Sequence, residues 1–312
     1  MDDQTRSATM EALKRADYRW LILSIIFGIM SHMSRAQRWR MLIKPMGYSP
    51  RYFVTFLTVM ISYVANLAAP RLGEVMKCTF LSRYERIPAD KLIGTMIAER
   101  SIDAITLLLV TGLTLIFQYD KIIGFWNVKV TIPVKEKLAS SSSFGPLLIG
   151  GLVLAIILFW LAGRVLKNSK FFEKVQGVLR NMKEGLGSVR KVENLPLFIF
   201  HSLFIWFMYF AMVAVCFPAL AETAMLGVPA GMAILVFGSF GIIASPGGIG
   251  AYQLIVKETL ENLYQVPEAA AFAFGNIVWG AQTIMIVLFG LLAFLILPLF
   301  KRQDGDARQT TK

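Results

Sequence analysis

Asn66-Leu-Ala-Ala-Pro-Arg-Leu-Gly-Glu74 cuts into one apolar run of the chain, and Ile243-Ala-Ser-Pro-Gly-Gly-Ile-Gly250 cuts into another. Proline removes a helical donor, and glycine admits backbone conformations that other residues avoid. Each stretch therefore ends one helix and starts a second. The runs before them, 52–69 and 228–244, are apolar enough to lie in lipid. In lipid, backbone polar groups must be satisfied within the segment, and a non-helical turn survives only where protein or a watery cavity covers it. Each stretch is thus expected at the tip of a helical hairpin, over residues 52–90 and 228–267, that enters the membrane and returns.

Further apolar runs lie at 18–34, 92–117, 146–163, 195–220 and 269–300. Most reach the length that crosses a hydrocarbon core of about 30 Å. The 312 residues are 56% hydrophobic and 17% charged, against roughly 45–50% and about 25% in soluble domains. This predicts an all-α, polytopic transmembrane helical bundle forming one membrane domain. Its expected parts are a polar tail (1–17), a first half (18–163), a basic amphipathic linker (164–194), a second half (195–300) and a basic tail (301–312). The net charge of +12 does not point to nucleic acid, because the bases sit in short segments between apolar runs, where they set orientation and meet anionic headgroups. Two cysteines, Cys78 and Cys216, provide no disulfide framework, and residues 1–19 lack a signal peptide's apolar core.

Loop charge sets the expected topology. Arg35, Arg38, Arg40, Lys44 and Arg51 read as a basic loop after the first run, and Arg71, Lys77, Arg83, Arg86 and Lys91 as another. Both face the cytoplasm only if the run between them dips in and returns. The same parity argument makes 228–267 re-entrant, and it leaves the basic tail 1–17 outside unless a further N-terminal span precedes it. Trp20, Trp39, Trp126 and Trp206 fall near expected span ends, as interfacial anchors do.

A short internal repeat accompanies the hairpins. Ala68-Ala69-Pro70 resembles Ala244-Ser245-Pro246, and Glu99-Arg100 and Gly275-Asn276 follow the two prolines at equal distance. Inverted repeats with interrupted helices are how many transporters build a site at the membrane midplane.

The residues that stand out chemically are Arg71, Glu74, Glu99, Arg100 and Asp103. Glu99 and Asp103 are four apart on one helix face, with Arg100 beside them. A charge at the centre of a membrane helix costs about 2.5–3.5 kcal/mol on insertion scales, so these need partners or water. Two readings follow: a polar track that handles a charged headgroup, or an ion-pair cluster that pins the first hairpin to the 92–117 helix. Asn66 belongs to the first tip. Pro246, Gly247, Gly248 and Gly250, with Gln253 beyond them, form a second tip whose exposed N–H groups suit an anion. The spacing is not that of a nucleotide-binding loop. His32 and His201 stand singly on apolar segments, as packed histidines do, with no zinc-ligand spacing. No cofactor or metal is called for.

Arg35-Ala-Gln-Arg-Trp39, the Asn66–Glu74 tip, Glu99-Arg100 with Asp103, and Ser245-Pro-Gly-Gly-Ile-Gly250 occur in that order. Together they resemble the flippase-like membrane family that includes the transmembrane domain of lysylphosphatidylglycerol synthases, over about residues 19–300. The resemblance implies a multi-pass protein of the bacterial inner membrane that moves a lipid or lipid-linked molecule between leaflets. It implies no aminoacyl transfer, because the synthases' C-terminal transferase domain has no counterpart here. The chain departs from the family pattern at Pro70-Arg71, which are adjacent here, at Gln253, where an acid is usual, and near Asn276, where an arginine is usual.

The expected function is a non-enzymatic lipid flippase or translocator. Arg71 and Arg100 would attract an anionic phosphate, and Glu74, Glu99 and Asp103 would orient them. The expected partners are membrane lipids with anionic headgroups, with no nucleic acid; a homo-oligomer is left open. The competing readings are an integral membrane transferase acting on a polyprenyl-phosphate lipid and a secondary transporter of a small ion.

Overall fold

A computed structural model describes residues 3–69, 71–119, 121 and 191–300. The expected span 146–163, nearly all of the 164–194 linker, Trp126, Pro70 and the tail 301–312 lie outside the described residues. One compact unit comprises Met1–Phe117 and Gly185–Lys312. Of the second, Gln118–Glu184, only Gln118, Tyr119 and Lys121 are described.

The described residues form helices and turns with no strand: α1 (Asp3–Arg15), α2 (Arg19–Ile43), α3 (Tyr52–Ala68), α4 (Leu72–Glu85), α5 (Ala89–Phe117), α6 (Leu195–Ala214), α7 (Val228–Ala244), α8 (Ala251–Tyr264) and α9 (Glu268–Ile296). Among the described residues, three stretches are long and apolar enough to cross a membrane: Ala89–Phe117, Leu195–Ala219 and Glu268–Leu299. Their outer faces are apolar, with Leu109, Ile116 and Phe117 exposed on α5, Leu203 and Phe207 on α6, and Leu291 and Leu295 on α9. Large apolar side chains pointing outward along whole helices suit a lipid solvent.

α2 runs farther than its apolar composition suggests. The expected span stopped at residue 34, ahead of the basic cluster. The helix instead continues to Ile43, and Arg35, Arg38 and Trp39 are all buried on it. Arg35, Arg38 and Arg40 are therefore helical and not a loop. Nothing breaks the helix before Pro45, and two of its arginines find carboxylate partners inside the protein. Lys77, also read as a loop cation, is buried in the middle of α4. Residues 1–17 are more than a tail, since α1 packs on α9 through a buried stripe of Thr9 and Ala12, and Ala16 beyond its end joins the same core.

α3 and α4 form a closely packed helical hairpin, as do α7 and α8. In the first, a Cβ on Gly73 would lie 1.8 Å from the Ser62 carbonyl oxygen, so only glycine lets α4 approach α3. In the second the glycines sit on the other helix, where Cβ atoms on Gly238 and Gly241 would come within 2.7 and 2.8 Å of Tyr252. The tips meet: a Cβ on Gly247 would lie 2.4 Å from Leu67 Cδ2.

The internal repeat extends across whole elements. α3, α4 and α5 have 17, 14 and 29 residues, and α7, α8 and α9 have 17, 14 and 29. α4 and α8 both end at a left-handed residue, Arg86 and Gln265. Contacts are exchanged between the halves, with α3 on α9, α7 on α5, and α2 against α6. A two-fold relation requires this exchange. The register differs from the expected one. Because the second tip carries the extra turn Pro246–Gly248, Glu99 and Arg100 correspond to Val278 and Trp279 and not to Gly275 and Asn276.

Candidate functional site

The charged residues converge where α2, α4 and α5 pack, with α6 at the edge. Arg35 and Arg38 are three apart on α2, and Glu99 and Asp103 four apart on α5, so each pair presents to one face. Arg35 Nη1 donates to Glu99 Oε1 at 2.7 Å and to Asp103 Oδ2 at 2.6 Å. Arg38 Nη2 donates to Asp103 Oδ1 at 2.6 Å. From α4, Lys77 Nζ donates to Glu99 Oε2 at 2.7 Å and lies 3.9 Å from the centroid of the Trp39 ring. Arg35 Nη2 donates to Tyr209 Oη on α6 at 3.1 Å, and Tyr209 Oη lies 3.4 Å from Tyr63 Oη. Asp103, with 14% of its side chain exposed, is the most accessible member; the other four are 5% exposed or less. Charges buried this deeply persist only when paired and hydrogen-bonded.

Among the residues expected at a site, Glu74, Glu99, Arg100 and Asp103 are brought together with different partners than expected. Glu99 and Asp103 make their ion pairs with Arg35, Arg38 and Lys77. Arg100 Nε instead pairs with Glu74 Oε1 at 3.0 Å, tying α5 to α4 at a half-open position. Arg71 is exposed at the start of α4 with φ 67°, a left-handed conformation uncommon for a side-chain-bearing residue. It has no ion-pair partner among the described residues. Asn66 Oδ1 accepts from Gly73 N at 2.9 Å, closing the first tip across the turn.

The second tip has no such charge. Gly247, Gly248 and Gly250 all have positive φ, Pro246 is exposed, and Trp279 Nε1 donates to Gly247 O at 2.9 Å. Gln253 is buried and its Oε1 has no hydrogen-bond partner. Matched element by element, Arg71 falls on Gly250, Glu74 on Gln253, Lys77 on Val256, Glu99 on Val278, Arg100 on Trp279 and Asp103 on Gln282. The second half keeps the helix lengths of the first and none of these charges.

Arg35, Arg38, Lys77, Tyr63 and Tyr209 belong to the constellation although sequence reasoning gave them no part in it. The signal was present for the arginines: two acids at i and i+4 in an apolar helix call for cations at matching helical spacing. Trp39 and Trp206 are not interfacial anchors, since both are buried, and Trp39 Nε1 donates to Thr95 Oγ1 at 3.0 Å. His201 Nδ1 lies 2.8 Å from Ser34 Oγ, as expected of a packed histidine. His32 packs on the Tyr63 ring at 4.2 Å, while its Nδ1 finds no partner.

Lipid-facing helices, two turn-tipped hairpins meeting end to end and a buried ion network beside one of them define a multi-pass helical membrane protein with an internal polar site. The chain belongs to the family described as the lysylphosphatidylglycerol synthase TM region, whose model matches residues 6–290. The UPF0104 membrane protein MJ1595 of Methanocaldococcus jannaschii is 28% identical over 119 residues, covering 37% of this chain. The matched stretch spans only 35% of that relative's length. No solved structure matches.

Proposed function

We propose that this protein is a lipid translocator that moves a phospholipid or lipid-linked molecule with an anionic headgroup between the leaflets of a bacterial cytoplasmic membrane. The observation that carries the proposal is the five-member ion network set among helices whose outer faces are apolar. An anchor would have no use for such a network, and ionisable residues within membrane segments mark substrate pathways by default. The two hairpins are read as re-entrant and the two halves as an inverted pair. In that reading the touching tips form a midplane partition, and the polar face of α4 and α5 forms a lateral groove. Arg71 and Arg100 meet the headgroup phosphate, and Glu74 is the internal carboxylate that the phosphate displaces from Arg100. Acyl chains stay in lipid, along the exposed apolar faces of α5 and α9.

The test is leaflet exchange of fluorescent phospholipids in reconstituted vesicles, read by quenching of the outer leaflet. Exchange of phosphatidylglycerol above protein-free vesicles, reduced by Arg100→Met and Arg71→Gln, is expected. No exchange across a panel of anionic, zwitterionic and aminoacylated lipids sinks the reading.

A further inference from the structure

The ion network does not balance. Arg35, Arg38 and Lys77 carry three positive charges and Glu99 and Asp103 two negative ones, while Arg100 and Glu74 cancel each other. The network is therefore one positive charge in excess among the described residues. Its hydrogen bonding is also incomplete: the Nε donors of both Arg35 and Arg38 are buried without a partner, on side chains 5% and 0% exposed. The neighbouring hydroxyls of Tyr209 and Ser202 accept from Nη atoms of the two guanidinium groups and leave both Nε donors open, the Ser202 contact being 3.5 Å. Each of the three cations touches a carboxylate, so the surplus is shared across the network, and a pair of guanidinium groups with open Nε donors is well suited to an oxyanion.

We infer that the α2–α4–α5 network is a binding site for a singly charged oxyanion of the phosphate class, which completes its charge balance. The guanidinium groups of Arg35 and Arg38 are the principal ligands, and Lys77 sets the surplus. The anion arrives past Asp103, the most exposed member of the network, where Arg100, paired with Glu74 of α4, lies one turn back on α5. Phosphate-class chemistry has two sources, a lipid phosphodiester and free inorganic phosphate. The lipid arm of the inference rests on the translocator reading; anion binding itself does not require transport.

The charge count makes opposite predictions for two variants. Lys77→Met leaves two cations against two acids, so the demand for an anion disappears. Asp103→Asn raises the surplus to two, so anion affinity rises, by at least about tenfold, equivalent to about 1.4 kcal/mol. The measurement is the unfolding temperature of the full chain in nanodiscs. One arm uses discs of a phosphorus-free galactolipid titrated with inorganic phosphate against gluconate at constant ionic strength; the other uses the same discs in phosphate-free buffer with increasing phosphatidylglycerol. A saturable rise for the wild-type protein in at least one arm is expected, and the responding arm identifies the source. The rise should be lost in Lys77→Met and shifted to lower concentration in Asp103→Asn; if Lys77→Met fails to fold, the Asp103→Asn shift decides alone. A flat response of the wild-type protein in both arms, an unchanged rise in Lys77→Met, or no shift in Asp103→Asn overturns the site. Leaflet exchange by the same proteins keeps the two proposals separate. Exchange without anion dependence leaves the translocator standing and removes the anion site, and anion dependence without exchange does the reverse.

Discussion

Glu99 is the residue on which the network turns, since it holds Arg35 through one carboxylate oxygen and Lys77 through the other. Glu99→Gln keeps the shape and removes the charge. It should destabilise the protein by about 3–5 kcal/mol, the usual cost of breaking a buried pair, seen as a lowered unfolding temperature in detergent. Combining it with Lys77→Met should recover part of that loss, because the stranded ammonium is removed with its partner. Arg71 makes the contrasting case. Its left-handed backbone costs roughly 1–3 kcal/mol, and it has no ion-pair partner among the described residues to offset that. Arg71→Gly should raise stability and lower leaflet exchange, whereas an Arg71 that matters only for folding would move both measures together.

At the scale of elements, the hairpins depend on where glycine sits. Gly73→Ala would drive a methyl group into the Ser62 carbonyl, which is backbone and cannot swing aside, and against the Asn66 side chain that closes the tip. Loss of folded protein, read as an aggregated peak in size-exclusion chromatography, is the expected result. Gly94→Ala, which meets nothing within 4 Å, is the matched control. The hairpins were legible in the sequence because proline and glycine interrupt apolar runs, and a helix has few ways to continue through Pro246-Gly-Gly. The α2 boundary was not legible. Hydropathy treats Arg35 and Arg38 as expelled from lipid, but their partners, Glu99 and Asp103, lie more than sixty residues away, and only packing brings them together. Lys77 and Trp39 escape the sequence for the same reason: taken singly, a lysine between apolar runs looks like a loop cation and a tryptophan in a basic cluster like an interfacial anchor, and only packing sets one over the other.

Across the whole molecule, two halves with the same succession of helix lengths carry different chemistry. The first half joins α2, α4 and α5 by buried ion pairs, whereas the second half holds its tip by hydrogen bonds, among them Trp279 to Gly247 and Ser245 to Ile249, and joins α8 to α9 through the pair of Lys257 with Glu268. The contact between tips can be measured. Gly247→Ala adds a methyl at φ +61° against Leu67, and Leu67→Ala removes the side chain it meets. The pair should couple by about 0.5–3 kcal/mol in a double-mutant cycle on unfolding, while additive effects would place the tips apart.

The unequal count of charges in the network has an electrical consequence. A full elementary charge moved across the bilayer exchanges about 2.3 kcal/mol with each 100 mV of membrane potential. In the proposed transport cycle, the network with its oxyanion bound would be neutral and its movement insensitive to voltage. With the anion released it would carry a positive charge, so the return step alone would be driven or opposed by the field. Vesicles clamped with a potassium gradient and valinomycin should therefore show leaflet exchange that depends on the sign of the potential, and Lys77→Met should flatten that dependence.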